Sequence, residues 1–179
     1  MSATAEEIWT ILRELAQSQK ETERRFQETD CKIKEVTTAI GRLGNRLGEF
    51  VEEMVRPAVV RLFQERGIAV HEVHRGVVSE RGGERMEVDL LVVNDTDVID
   101  IEVKSELSVE DIQVHVEKLG RFKKLFPHYR DCRVLGAVAA MVTPEDAARH
   151  AYRQGLFVLG QSGETVVIRN DAAFRPKVW

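Results

Sequence analysis

Residues 86–104, Met-Glu-Val-Asp-Leu-Leu-Val-Val-Asn-Asp-Thr-Asp-Val-Ile-Asp-Ile-Glu-Val-Lys, decide how the rest of the chain reads. Two apolar runs of strand length, Met86 to Val93 and Asp97 to Ser105, flank a turn at Asn94-Asp95, which predicts an antiparallel hairpin. With regular alternation, Glu87, Asp89 and Leu91 share one face of the first strand, and Met86, Val88, Leu90 and Val92 the other. Along the second, Val98, Asp100, Glu102 and Lys104 share one face, and Ile99, Ile101, Val103 and Ser105 the other. Asp89 and Glu102 lie one hairpin apart, so a suitable register gathers two carboxylates and the Lys104 ammonium. Glu-Val-Lys at alternate positions is common on a solvated sheet face, but here the charges are embedded in apolar strands. Convergent carboxylates repel unless a cation lies between them. An all-oxygen site suits a hard ion, Mg²⁺ or Mn²⁺, which offsets charge gathering on a phosphate and lowers the pKa of a bound water. Lys104 is then placed to orient that water and stabilise the developing charge.

Around this hairpin the pattern predicts a mixed sheet. Gly67 ends a helix, and Ile68 to Val78 is β-rich. Ser79 to Glu84, with Gly82-Gly83, is a turn into the Met86 strand. The three strands form an antiparallel meander. Ser108, Glu110 and Asp111 cap a helix whose apolar residues recur at helical spacing to Phe126, before Pro127. Val134 to Val142 is almost wholly apolar, as a central strand covered on both faces requires. Thr143-Pro144-Glu145 opens a further helix that Gly155 stops. Leu156 to Leu159 and Thr165 to Ile168, joined by a Gly160 to Gly163 turn, read as a terminal hairpin. Phe174 and Trp179 carry no interpretable signal.

Upstream, the positions Ile8, Leu12, Leu15, Gln19, Thr22, Phe26, Thr29, Ile33, Val36, Ile40, Leu43, Leu47, Phe50 and Met54 step by four and three, a heptad seam between mostly polar residues. Such a helix buries its narrow stripe against copies of itself, and residues 1–43 are read as an oligomerisation coiled coil, ahead of a globular domain in residues 44–179. Dimers are the simplest outcome, and the mixed seam leaves trimers and tetramers open. Gly41, Gly44 and Gly48 each cost helix stability by about 1 kcal/mol relative to Ala, so a bend or change of packing is expected there. From Leu47 the apolar face widens through Phe50, Val51, Met54, Val55, Val59, Val60, Leu62 and Phe63, as for a core helix, and Pro57 is expected to kink or divide it.

Composition narrows the function classes. The chain has 179 residues, 43% hydrophobic and 31% charged, enough for one compact domain and an extension. It shows neither a secretory signal nor the roughly 20 apolar residues of a membrane span, so a membrane partner is not expected and a cytoplasmic location is. Cys31 and Cys132 do not form a disulfide framework or a zinc site. A formal net charge of -4 argues against coating nucleic acid by bulk electrostatics. His71 and His74 fall on opposite strand faces, and His115, His128 and His150 lack ligand spacing, so all five histidines are read as structural or surface residues.

Asp89, then Glu102-Val103-Lys104, preceded by Gly48-Glu49-Phe50-Val51-Glu52 on a helix and followed by an amphipathic helix and an apolar strand, resembles the PD-(D/E)xK nuclease superfamily. The resemblance covers residues 44–142, and the chain is similar to a prokaryotic group in that superfamily with an N-terminal coiled coil. It implies an α/β fold with a restriction-endonuclease-like αβββαβ core and a mixed sheet. It also implies a Mg²⁺- or Mn²⁺-dependent DNA endonuclease that hydrolyses backbone phosphodiesters with a metal-activated water. Asp89 and Glu102 match the metal ligands and Lys104 the catalytic lysine. The helical glutamate of the resolvase-like branch falls on Glu52, with Glu49 and Glu53 as alternatives, and Gln113 matches a polar residue used in some branches. Val88 stands where the motif has proline. On the helix after the lysine, Lys118, Arg121 and Lys124, with Lys123 and Arg130 nearby, offer phosphate contacts to DNA. The alternative is a non-catalytic coiled-coil oligomer with a nuclease-like fold that binds nucleic acid or a protein partner.

Overall fold

The computed structural model describes residues 4–163 and 165–179. The chain is α/β, with a long helix α1 (Ala5–Glu65), strands β1 (Glu72–Arg81), β2 (Glu84–Val93) and β3 (Asp97–Glu106), helix α2 (Val109–Leu125), β4 (Arg133–Val142), helix α3 (Glu145–Arg153), β5 (Phe157–Ser162) and β6 (Thr165–Ile168). It divides into two compact units, Met1–Asn45 and Arg46–Trp179. No helix among the described residues is long and apolar enough to cross a membrane.

The described residues of the first unit are helical from Ala5 and exposed throughout. Ion pairs one turn apart support the helix, Arg24 to Glu28 at 3.0 Å and Arg25 to Glu21 at 2.8 Å, each worth a few tenths of a kcal/mol (about 0.2–0.5). Its apolar stripe has no cover within this unit: Trp9 is 68% exposed, Phe26 71% and Ile40 65%.

In the second unit the helix buries Val51, Val55, Val59, Leu62 and Phe63 on one face of a six-stranded sheet. Strand order follows the sequence, β1-β2-β3-β4-β5-β6. The meander β1–β3 is antiparallel, β3, β4 and β5 are parallel, and β6 is antiparallel to β5. The opposite face packs Ile112, Leu119, Phe122 and Leu125 of α2 and Ala147 and Ala151 of α3. Ser108 and Asp111 form a capping box at the start of α2, which satisfies two backbone donors there. The nearly all-apolar β4 is interior to the sheet, because both of its faces are covered.

Several expectations are corrected. Pro57 neither divides α1 nor ends it: the helix continues to Glu65, followed by Gly67 at φ +78°. Pro57 lies on the exposed side, and burial of Val55, Val59, Leu62 and Phe63 on the sheet outweighs one lost backbone hydrogen bond. The helix also runs unbroken through Gly41, Gly44 and Gly48, while the expected change of packing does fall there: the unit boundary lies between Asn45 and Arg46, and burial begins at Gly48 and Val51. Phe50 is 58% exposed rather than core. Ile68 and Val70 are buried but precede β1: the Ile68 N–H bonds to Phe63, and the Val70 carbonyl accepts from Gln64 at 2.8 Å, so these residues close the helix end. Gly160 lies within β5, paired with Val167, where a Cβ would come within 2.4 Å of the Arg169 guanidinium. The C-terminal segment is structural, with Phe174 buried against Phe157 at 5.1 Å and the Trp179 N–H donating to Val134.

Because the helix runs through Pro57, Pro57→Ala restores the missing backbone donor. It should stabilise the protein by about 2 kcal/mol, read as a higher urea midpoint at an unchanged slope; a lower midpoint would mean that this turn depends on the proline ring.

Candidate active site

The site begins with a departure from strand alternation. Met86 and Val88 pack in the α2-side core with Leu91 and Val93, whereas Leu90 and Val92 pack in the α1-side core. The expected sharing of one face by Met86, Val88, Leu90 and Val92 is therefore wrong: β2 turns over at Asp89. Its neighbour turns with it, since Val73 of β1 packs on the α1 side and Val77 on the α2 side. Gly76 sits between them at φ +59°, between the pairs Arg75↔Leu90 and Val77↔Val88. A glycine in the left-handed region inside a strand supplies such a bend at low steric cost.

The turnover opens the sheet. Pairing of β2 with β3 runs from Val93↔Val98 to Leu90↔Ile101 and stops one residue before Asp89 and Glu102 would pair. β3 continues alongside β4 to Glu106↔Val142. In the gap, the Asp89 Oδ2 accepts the Val103 N–H at 2.7 Å, so a carboxylate takes the place of the missing strand partner. Among the described residues nothing hydrogen-bonds its Oδ1. Burial, and then the Glu102 charge, raise the Asp89 carboxyl above its ordinary value against the pull of the Val103 N–H and the two lysines.

Glu102 is buried and held from two sides. Lys104 Nζ lies 2.9 Å from its Oε1, and Lys118 Nζ of α2 donates to its Oε2 at 2.6 Å. Burial pushes this carboxyl up, but Lys118, with Lys104, outweighs burial and keeps it below the usual value. For Lys104 burial works downward, yet its bond to Glu102, aided by Asp111 3.9 Å away, leaves the ammonium above its usual range. Lys104 is thus a charged donor and is not poised as a neutral base.

Glu52 reaches the same neighbourhood from α1. It is partly buried, with Arg75 Nε 3.6 Å from its Oε2. Burial and then Asp89 raise its carboxyl, opposed by Arg75. Glu53 instead pairs with Arg56 and Arg75 in solvent. Gln113 is exposed and makes no hydrogen bond to these groups among the described residues. Of the expected phosphate contacts, Lys118 is part of the carboxylate cluster, Lys124 binds Glu84, Arg121 lies 3.9 Å from Glu84, and Arg130 is exposed.

Two buried groups escaped the sequence reading. Asp100, on the same face of β3 as Glu102, is fully buried and neither carboxyl oxygen has a hydrogen-bond partner; burial pushes it up to about 8. His115 of α2 is also fully buried, its Nδ1 3.8 Å from Glu102 Oε2, and burial pushes it down to about 4. His115 is therefore neutral at pH 7. The sequence signal for both was a polar residue on the inward stripe of an otherwise apolar element.

The donors fit a hard divalent ion in kind, carboxylate oxygens only: Asp89 Oδ1 makes no hydrogen bond among the described residues, and Glu102, whose charge acts on Asp89, has both oxygens bonded to ammonium groups. Among the described residues no three His, Cys, Asp or Glu side chains are close enough to hold a metal together, so two carboxylates and water would complete such a site, as Mg²⁺ accepts.

Asp100 ordinarily titrates near 3.8. Raised to about 8 in the fold, it binds its proton more tightly folded than unfolded, so its contribution is fully present below about pH 4 and is lost as pH rises towards 8. Asp100→Asn should flatten that decline. Urea unfolding of metal-free protein at pH 5 and 8 measures it: the variant gains on wild type at pH 8, and equal losses in both proteins would refute the buried, protonated state.

The family described as "Protein of unknown function (DUF3782)" matches residues 10–86 of the chain. No curated protein matches it. A solved structure titled "Crystal Structure of Protein of Unknown Function AF1548" is similar at 18% identity with a TM-score of 0.37, over 57% of this chain and 54% of that one, so the chain spans about half of that protein's length.

Proposed function

We propose that residues 46–179 form a PD-(D/E)xK-type phosphodiesterase with a restriction-endonuclease-like core, acting on DNA, and that the N-terminal helix makes it a homo-oligomer. The observation that supports this reading is the opening of the β2–β3 ladder, where Asp89 bonds the N–H of Val103, the neighbour of Glu102, and Lys104 bonds Glu102. The elements from the second unit's helical segment through β4 follow the order αβββαβ, and the site lies towards the C-terminal half of β3 beside its parallel neighbour β4, where α/β sheets place their ligands.

Asp89 and Glu102 would hold Mg²⁺ or Mn²⁺. When bound, the ion supplies Lewis-acid stabilisation of charge on the phosphate and lowers the pKa of a water. Glu52, whose raised carboxyl retains a proton more readily than a free glutamate, lies on the α1 side to accept or return a proton through solvent. Lys104 keeps its charge and faces outward from Glu102, so on substrate binding its ammonium stabilises the phosphate as negative charge builds in the transition state. Arg121 and Lys124 provide exposed cations along α2 for backbone phosphates once displaced from Glu84.

One observation favours the non-catalytic alternative. Both Glu102 oxygens already bind ammonium groups, which is how a structural carboxylate is kept in a low-dielectric interior. Two measurements separate the readings. Titration calorimetry with Mn²⁺ should show binding that is abolished in Asp89→Ala and weakens as pH falls through the raised Asp89 value. Supercoiled plasmid with Mg²⁺ should be nicked by wild type, with the rate lowered roughly 100-fold or more in Asp89→Ala and Lys104→Ala. Equal nicking by all three proteins, or no Mn²⁺ binding, rejects the enzyme.

A further inference from the structure

Resting on the proposal that α1 is an oligomerisation helix, we infer that its first unit pairs with a second copy of this chain in parallel and in register. The steps of four and three fix the heptad: Gln19 falls at position a, Thr22 and Thr29 at d. The flanking positions are segregated by charge. Position g carries Arg25 and Lys32, position e carries Glu23 and Asp30, and all four side chains are exposed.

In a parallel pair, g lies beside e of the following heptad on the other helix, so Arg25 meets Asp30 of the partner subunit. The same guanidinium bonds Glu21 on its own helix through Nε and Nη2, which leaves further N–H donors for the second carboxylate. In an antiparallel pair, g faces g and e faces e. The two alignments that overlap the first unit's seams most fully set Arg25 and Glu23 each against its own copy, or Arg25 against Lys32 of the partner subunit, and both repel.

The seam adds an independent reason. The Thr22 and Thr29 hydroxyls already donate to carbonyls one turn back, Ser18 and Arg25, so either orientation accommodates them. The Gln19 amide makes no hydrogen bond among the described residues. In parallel register it meets the amide of Gln19 of the partner subunit, donor to acceptor. Of the antiparallel alignments, one sets it against Val36, where it is dehydrated without a partner, and the other sets it against Thr29, where the charges alone oppose the pairing. Residue 46 of each copy therefore leaves the coil at the same end.

The test uses the full chain in a Cys31→Ser, Cys132→Ser background. Gln19→Cys should form a disulfide-linked dimer on mild oxidation, and an equimolar mixture of Gln19→Cys, Thr29→Cys and Val36→Cys copies should give peptides linked 19 to 19, 29 to 29 and 36 to 36 by mass spectrometry. Linkage of 19 to 29 or of 19 to 36 overturns the orientation and leaves the oligomer. A monomer at all concentrations in sedimentation equilibrium overturns the oligomerisation reading itself. The charge series runs independently: Arg25→Asp should weaken self-association roughly 2- to 20-fold, and adding Asp30→Arg should restore it. Strengthening by Arg25→Asp alone, as relief of g-to-g repulsion predicts, also overturns the parallel arrangement.

Discussion

Glu102 bonded between Lys104 and Lys118 is the interaction on which the second unit's interior depends. Three acidic side chains, Asp89, Asp100 and Glu102, lie within or beside apolar strands, and burial disfavours ionisation of each. Only Glu102 has two ammonium groups in hydrogen-bond reach, and only its carboxyl is held below the ordinary value. Asp100, with no hydrogen-bond partner, is pushed far the other way, and Asp89 lies between. The order of proton affinity thus follows the distribution of cations, because an unpaired charge is too costly in this environment to keep. Since Lys118 and His115 both come from α2, docking of that helix and the charge state of the site are one event.

The same coupling links strand geometry to chemistry. Had β2 alternated regularly, Asp89 would have paired with Glu102 along a continuous ladder. The turnover at Gly76 and Asp89 ends the β2–β3 pairing at Leu90↔Ile101 and turns the freed Val103 N–H into a donor for a side chain. A buried backbone N–H without a partner is rare because it is costly, so the Asp89 carboxylate completes the sheet as well as facing Glu102. Removing it disturbs both roles, and a metal-binding measurement therefore carries information that loss of activity alone does not.

Much of this was legible in the sequence. Element order, the meander and the interior place of β4 follow from period, turn residues and spacing, whereas the regular alternation used to place Asp89 fails at that residue. What was hidden had non-local causes. Nothing near residue 57 says that a helix survives a proline, because the compensation is the sheet beneath Val55, Val59 and Phe63. Nothing near Gly76 marks it as opposite Asp89 without the register. Lys118 read as a phosphate contact alongside Arg121 and Lys124 on the polar side of the helix; only docking of α2 turns it inward to Glu102. Asp100 read as one more alternating polar residue, and its burial depends on the helix packed over β3.

Helix α1 carries two stripes that the sequence merges into one widening face. Within the second unit, Val51, Val55, Val59 and Leu62 recur every three or four residues and are buried, while Leu47 and Phe50, which continue the heptad seam, remain 40% and 58% exposed. Residues three or four apart share a helix face, whereas neighbours such as Phe50 and Val51 are a hundred degrees apart. Within the second unit the seam positions Leu47 and Phe50 thus lie off the core-facing side, and the seam joins the core contact only at Met54, which packs against the core cluster.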